Sequence, residues 1–244
     1  MRYVWIAASL GLIATPAMAS PGVGDPVYGA TVKDGTTDIE VRYGRLTGRS
    51  AEGEDGMVFE AEHAFSSRLS IAGLVETGRE PGQSRQVNAF AMEGIYSLGH
   101  IQALNLDTAL YVELKHGLRG ENDAIELKGL FEHRAGRFDG RLNVIADKPL
   151  GSSEPIELGY AALADWAVVG DEVRFGLEAF GDMGTTEHLG GRQEHFVGPI
   201  GKFEIEHIGP GDLEIEAGWL KAFGAARDIT DGQARLLLEY EAHF

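Results

Sequence analysis

Cysteine is absent from this chain of 244 residues. No disulfide can hold it, so its fold must rest on burial and backbone pairing. Long apolar runs are missing as well. The longest, residues 4–14, is too short to cross a bilayer as a helix, which excludes a transmembrane helix. Positive charge is scarce. Against 38 Asp and Glu stand 21 Lys and Arg, a formal net charge of -17 that argues against nucleic acid or an anionic lipid surface as the natural partner. Proline is rare, at 8 residues, and no Pro- or Ser-rich linker divides the chain, so one domain is expected.

What is present begins with an export signal. Arg2, the apolar stretch 4–14 and the small-x-small sequence Ala17-Met18-Ala19 read as a cleaved secretory signal covering residues 1–19. Ser20 follows, not cysteine, so no lipid anchor is expected.

Beyond residue 36 a single pattern recurs. In GQARLLLEYEAHF, residues Ala234, Leu236, Leu238, Tyr240, Ala242 and Phe244 share one face, and Gln233, Arg235, Leu237, Glu239, Glu241 and His243 the other. That is the two-residue period of a strand. DLEIEAGW, KFEIEHI, EVRFGLEAF and PIELGYAALADWAVV repeat it, and seven further segments upstream bring the strand candidates to twelve. The links between them alternate without exception. Long, polar, Gly-rich links near 47–56, 78–85, 118–123, 148–154, 182–193 and 224–232 interleave with tight turns near 66–67, 99–103, 134–136, 169–171 and 209–211. A soluble sandwich has no reason to sort its loops by end, whereas a membrane barrel carries short turns on one rim and long loops on the other.

The apolar face must then point outward. Turned inward, it would crowd twelve strands' worth of apolar side chains into one lumen, and soluble barrels with filled interiors have about eight strands. Turned outward, it forms a hydrocarbon-spanning belt, and closure satisfies every backbone group. Aromatics on that face cluster at strand ends: Phe65, Tyr96, Phe138, Trp166 and Phe244 on the turn side, and Tyr43, Phe59, Phe90, Trp219 and Phe223 on the loop side. Two interfacial girdles are the expected arrangement.

The signal, the alternating strands, the loop asymmetry and a last strand ending YEAHF resemble those of proteobacterial outer-membrane β-barrels of the porin-like kind. The resemblance implies an all-β, closed, antiparallel up-and-down barrel of about twelve strands over 37–244, with short periplasmic turns and long external loops, preceded by a periplasmic segment 20–36. It further implies residence in the outer membrane, contact with its lipid and lipopolysaccharide, and Phe244 as a signal for the barrel-assembly machinery. Two local expectations stand apart. Pro199 suggests a bulge in its strand, and Asp34-Gly35 is a hairpin signal that would add a short element over 27–32.

With that orientation the polar face becomes the lumen, and its charge is the functional chemistry on view. Candidate lining residues are Glu113, Lys115, Glu126, Lys128, Arg141, Arg174, Glu178, Lys202, Glu204, Glu206, Glu214, Glu216, Arg235, Glu239 and Glu241. Acids exceed bases about two to one on this face, which would concentrate cations. A small cation-leaning diffusion channel is the leading expectation. The alternative is a non-conducting barrel that presents its loops to a partner or to lipopolysaccharide. No catalytic residue, metal or cofactor is expected. Inward serines are few (Ser70, Ser97), no histidine accompanies them, and the lipase-type HxSNG sequence is missing. The loop residues Asp182, Glu187, His188, Glu194 and His195 match no metal-site spacing and read as solvated. A passenger-secreting barrel is excluded by the brevity of 20–37.

Overall fold

The computed structural model describes residues 26–243; the expected signal segment 1–19 and Phe244, the expected assembly signal, lie outside them. Twelve strands follow in order: β1 (Thr36–Thr47), β2 (Asp55–Ser66), β3 (Leu69–Arg79), β4 (Gln86–Ile101), β5 (Leu106–Gly117), β6 (Ala124–Ala135), β7 (Phe138–Pro149), β8 (Glu157–Val169), β9 (Val173–Thr185), β10 (Glu194–Ile208), β11 (Gly211–Gly224) and β12 (Gly232–His243). Each pairs antiparallel with its sequence neighbours. β1 also pairs with β12, from Thr36 opposite His243 to Thr47 opposite Gly232, so the sheet closes. Closure leaves no row of unpaired backbone groups to meet lipid. The fold is a closed, antiparallel up-and-down barrel of twelve strands.

Links sort onto two rims. Residues 67–68, 102–105, 136–137, 170–172 and 209–210 make the turn rim; 48–54, 80–85, 118–123, 150–156, 186–193 and 225–231 make the long-loop rim, the last with a 3-10 turn, Ala226–Asp228. Strands run from 11 residues (β3) to 16 (β4), which exceeds the roughly 9–11 needed to cross hydrocarbon at a tilt.

The burial pattern is inverted relative to a soluble protein. Met92 is 63% exposed and Phe175 59%, whereas Arg42 is 1% exposed and Glu132 0%. Charged side chains are almost never buried unless paired, and those of this barrel face one another across the interior. Phe65, Tyr96 and Trp166 are exposed toward the turn rim, and Phe59, Phe90, Trp219 and Phe223 toward the long-loop rim. These positions are those of two aromatic girdles.

Three features depart from the sequence expectations. Pro199 produces no bulge: β10 keeps one register with β9 through Pro199, opposite Leu177. On its other side the ladder to β11 resumes at Ile200 in the register it left at Val197; the shift comes later, between Ile205 and Ile208. A missing N–H removes a rung without adding a residue. The Asp34-Gly35 turn is present, with Gly35 at φ 76, a conformation open to glycine, and Thr36 N donating to Lys33 O at 3.5 Å. Its expected partner element does not form: residues 26–33 lie outside every strand. This part of the stretch 20–36, expected on the periplasmic side, instead enters the barrel, where Ala30 is fully buried and packs with Ile95, Ala109, Tyr111 and Leu130.

Candidate functional site: the barrel lumen

Register, which alternation leaves unspecified, decides how the inward charges meet. Following paired residues from strand to strand gives one continuous row: Asp212 opposite Glu241, Glu241 opposite Asp38, Asp38 opposite Glu62, Glu62 opposite Ala72, and Ala72 opposite Glu93. It continues from Glu93 to Glu113, Glu126, Asp147 and Glu157. Ten strands, β11 and β12 and then β1 to β8, contribute to this row. Every member but Ala72 is a carboxylate. The row starts one residue into β11, at the turn rim, and ends on the first residue of β8, at the long-loop rim. It therefore winds up the wall from one mouth to the other.

A second, shorter row runs beside it, with Glu60, Glu40, Glu239, Glu214 and Glu204 in successive opposition. Like charges directly opposite one another on neighbouring strands are destabilising. Two such rows in one barrel mean that folding tolerates a cost here. Their carboxylates converge at two points, where ligand atoms of Asp38, Glu239 and Glu241, and of Glu60, Glu62 and Glu93, lie within 4.8 Å of one another. Neither group contains a histidine. Of the loop residues considered for a metal, His195 instead meets the Tyr160 hydroxyl at 3.2 Å, and His188 takes part in a Thr185-capped turn, its N–H 3.1 Å from Thr185 Oγ1.

Cations are held by particular acids. Arg42 pairs with Glu40 at 2.7 Å and also with Glu60; Lys202 pairs with Glu216 at 3.0 Å and Glu214 at 3.6 Å; Lys128 pairs with Glu126 at 2.9 Å. Arg141 pairs with Asp139 at 2.9 Å, Arg174 with Asp165 at 2.6 Å, Lys115 with Glu76 at 3.7 Å, and Arg235 with Glu178. Glu206 stands apart at the turn rim, about half exposed beside His207.

Around these pairs the lumen is divided lengthwise and crosswise. Toward the long-loop rim, β7–β11 and β1 fill their side with Leu46, Ile145, Leu163, Phe180, Phe196, Ile200 and Leu220, closed over by Ala51 and Ala226 from two loops. Phe180 and Phe196 stack with centroids 5.1 Å apart. The opposite side, β2–β7, stays open as a cavity of about 570 Å³. Glu54, Asp55, Glu76, Glu80, Glu113, Glu121, Glu126 and Asp147 line it, against Arg79 and Lys115. At its mouth burial raises the pKa of Glu54, helped by Glu80, and burial likewise raises that of Glu121. A second cavity, about 350 Å³, lies toward the turn rim among Asp38, Glu40, Glu62, Glu239 and Glu241.

Tyr28 lines this second cavity. Its ring lies 4.9 Å from that of Tyr111, with Lys128 Nζ 4.6 and 4.4 Å from the two centroids. Its hydroxyl donates to Glu93 (3.2 Å) and accepts from Arg42 (2.9 Å), and the Tyr111 hydroxyl donates to the same Glu93 oxygen at 2.7 Å. Glu93 is the midpoint of the long carboxylate row. Sequence reasoning placed Glu113, Glu126 and Lys128 on the inward face but missed Tyr28, whose segment carries no periodicity, and the role of Tyr111, an aromatic on a face read for charge.

No family model matches the sequence, and no curated protein matches it. Solved structures do. The COG4313 outer membrane channel from Pseudomonas putida F1 superposes with a TM-score of 0.62 over 90% of this chain and 99% of its own, at 14% identity. The KdgM porin in complex with disordered oligogalacturonate does so with a TM-score of 0.57 over 85% and 99%, at 12% identity. At such identities the likeness is one of fold: this chain has the porin-like barrel fold of outer-membrane proteins.

Proposed function

We propose that this protein is an outer-membrane diffusion channel that favours cations, with its long loops external, its turns periplasmic, and its outward belt in contact with outer-membrane lipid and lipopolysaccharide. The observation that carries this reading is the carboxylate row from Asp212 to Glu157, which joins one mouth of the barrel to the other. A row of like charges costs stability wherever it is only scaffolding. Lining a water-filled path, it raises the local concentration of cations and excludes anions. The oligogalacturonate bound by one structural neighbour is a polyanion, and an acidic wall would repel such a solute; the shared fold therefore carries no shared substrate.

Purified barrel reconstituted in planar bilayers should show discrete conductance steps, and its reversal potential in a KCl gradient should indicate K+ over Cl-. Replacing Glu113 and Asp147 by Gln and Asn should lower that preference several-fold. Folded protein that never conducts would remove the channel reading and leave the second one, a barrel that displays its loops to a partner or to lipopolysaccharide. The packed side under Ala51 and Ala226 is the observation that favours that alternative.

A further inference from the structure

Residues 26–33 thread up the lumen from the turn rim, and the way they are held differs from the way the wall is held. Strands are joined backbone to backbone. Among the described residues, this segment's first main-chain bond to the wall comes only at Gly35, which donates to Ala64 O at 3.1 Å. Before that, wall side chains take up its backbone. Asn143 clamps Tyr28 from both sides, accepting from its N–H (2.8 Å) and donating to its carbonyl (2.9 Å), and Glu132 accepts from the N–H of Ala30 at 3.0 Å. At Gly29 a Cβ would sit 3.3 Å from Glu132 Oε2, so a larger residue there would press on the carboxylate that holds Ala30. The segment can therefore leave without breaking a strand ladder.

Where it sits decides what it does. Tyr28 lines the second acidic cavity, and its neighbours Tyr111 and Lys128 reach Glu113 and Glu126, which line the first; both cavities contain members of the long carboxylate row. The row's central carboxylate, Glu93, is capped by the Tyr28 and Tyr111 hydroxyls. Lys128 lies over both rings, placing a positive charge in the layer that a permeating cation would have to cross.

We propose that residues 26–32 form a retractable plug, seated by Tyr28 on Glu93 and Asn143, whose withdrawal toward the turn rim joins the two vestibules into one cation path. This rests on the channel reading above, and the experiment separates the two. Single-channel conductance and open probability would be measured for the full chain, for a deletion of 26–32, and for Tyr28→Ala and Asn143→Ala, with gel mobility before and after boiling to establish that each barrel is folded. The plug predicts rare or small openings in the unaltered chain and a several-fold rise in mean current in all three variants, largest for the deletion. A Gly29→Cys/Glu132→Cys chain bridged by a reducible bifunctional thiol reagent should stay silent until reductant is added; no native cysteine competes. Equal currents from every folded chain would overturn the plug and leave the channel standing. No current from any folded chain would overturn the channel and the plug with it. If the deletion does not fold, the two point variants and the bridged chain carry the same decision.

Discussion

The two sides of the lumen near the long-loop rim are built by opposite rules. From β8 to β1 the interior is packed as a soluble protein is packed, with Phe180 on Phe196, Leu163 and Leu220 beneath, and small loop residues closing over them. From β2 to β7 it is left open, and the register sets carboxylate beside carboxylate. One side is shaped by what stabilises the barrel. The other is shaped by something else, because a wall selected only for stability would not align Glu93, Glu113, Glu126 and Asp147.

The sharpest way to break this contrast is to open the packed side. Phe180→Ala should cost about 3–5 kcal/mol, read as a lower urea midpoint for unfolding from micelles, with ion preference unchanged among molecules that remain folded. A midpoint within error of the unaltered chain would mean that the packed side is not a core. Next in size is the buried pair of Arg235 and Glu178. Arg235→Ala strands Glu178 and should cost about 3–5 kcal/mol at most, whereas replacing both by Met and Leu should recover most of the loss. On the open side the sign should reverse. Glu113→Gln leaves a side chain whose amide can donate to the Tyr111 oxygen and relieves the repulsion from Glu93 and Glu126; it should leave stability level or raise it by about 0.2–1 kcal/mol while lowering cation preference. A large destabilisation would show the row to be structural after all.

The smallest effect concerns pH. Glu54 and Glu121, at the mouth of the open side, hold their protons to higher pH than ordinary carboxylates because they are partly buried. As pH falls they lose charge before an ordinary carboxylate would, so cation preference should begin to decline above the usual carboxylate range, and Glu54→Gln with Glu121→Gln should move that onset down. The linkage to stability runs the opposite way. A carboxyl that binds its proton more tightly folded than unfolded adds stability as pH drops through its raised pKa and loses it as pH rises. A selectivity profile unmoved by the double replacement would place the titrating groups elsewhere.

How much of this was legible before the structure follows from what each signal encodes. The two-residue period in segments such as DLEIEAGW names a face, and the alternation of long and short links names a rim; together they suffice for strand count, closure and the inward set. Neither encodes the offset between strands, since a slip is constrained only by turn geometry and by which face is buried. The row from Asp212 to Glu157 was therefore hidden, although Glu113, Glu126 and Glu241 were on the inward face already. Residues 26–33 were hidden for another reason. Their backbone partners are side chains of Asn143 and Glu132, more than a hundred residues away in sequence, and no local pattern announces such contacts. Pro199 misled because its effect is set by which neighbour its nitrogen faces.

The carboxylate row also climbs as it turns. Strands lie about 4.8 Å apart, so an ion stepping from Asp212 to Glu157 would take nine such strides around the barrel, about 43 Å of travel through a hydrocarbon layer about 30 Å thick. Its route would be a screw thread cut into the wall, with each stop inside the electrostatic reach of the next. Conduction along it would resemble handing a charge up a spiral stair, and the hand of that stair is fixed by the chirality of the strands themselves.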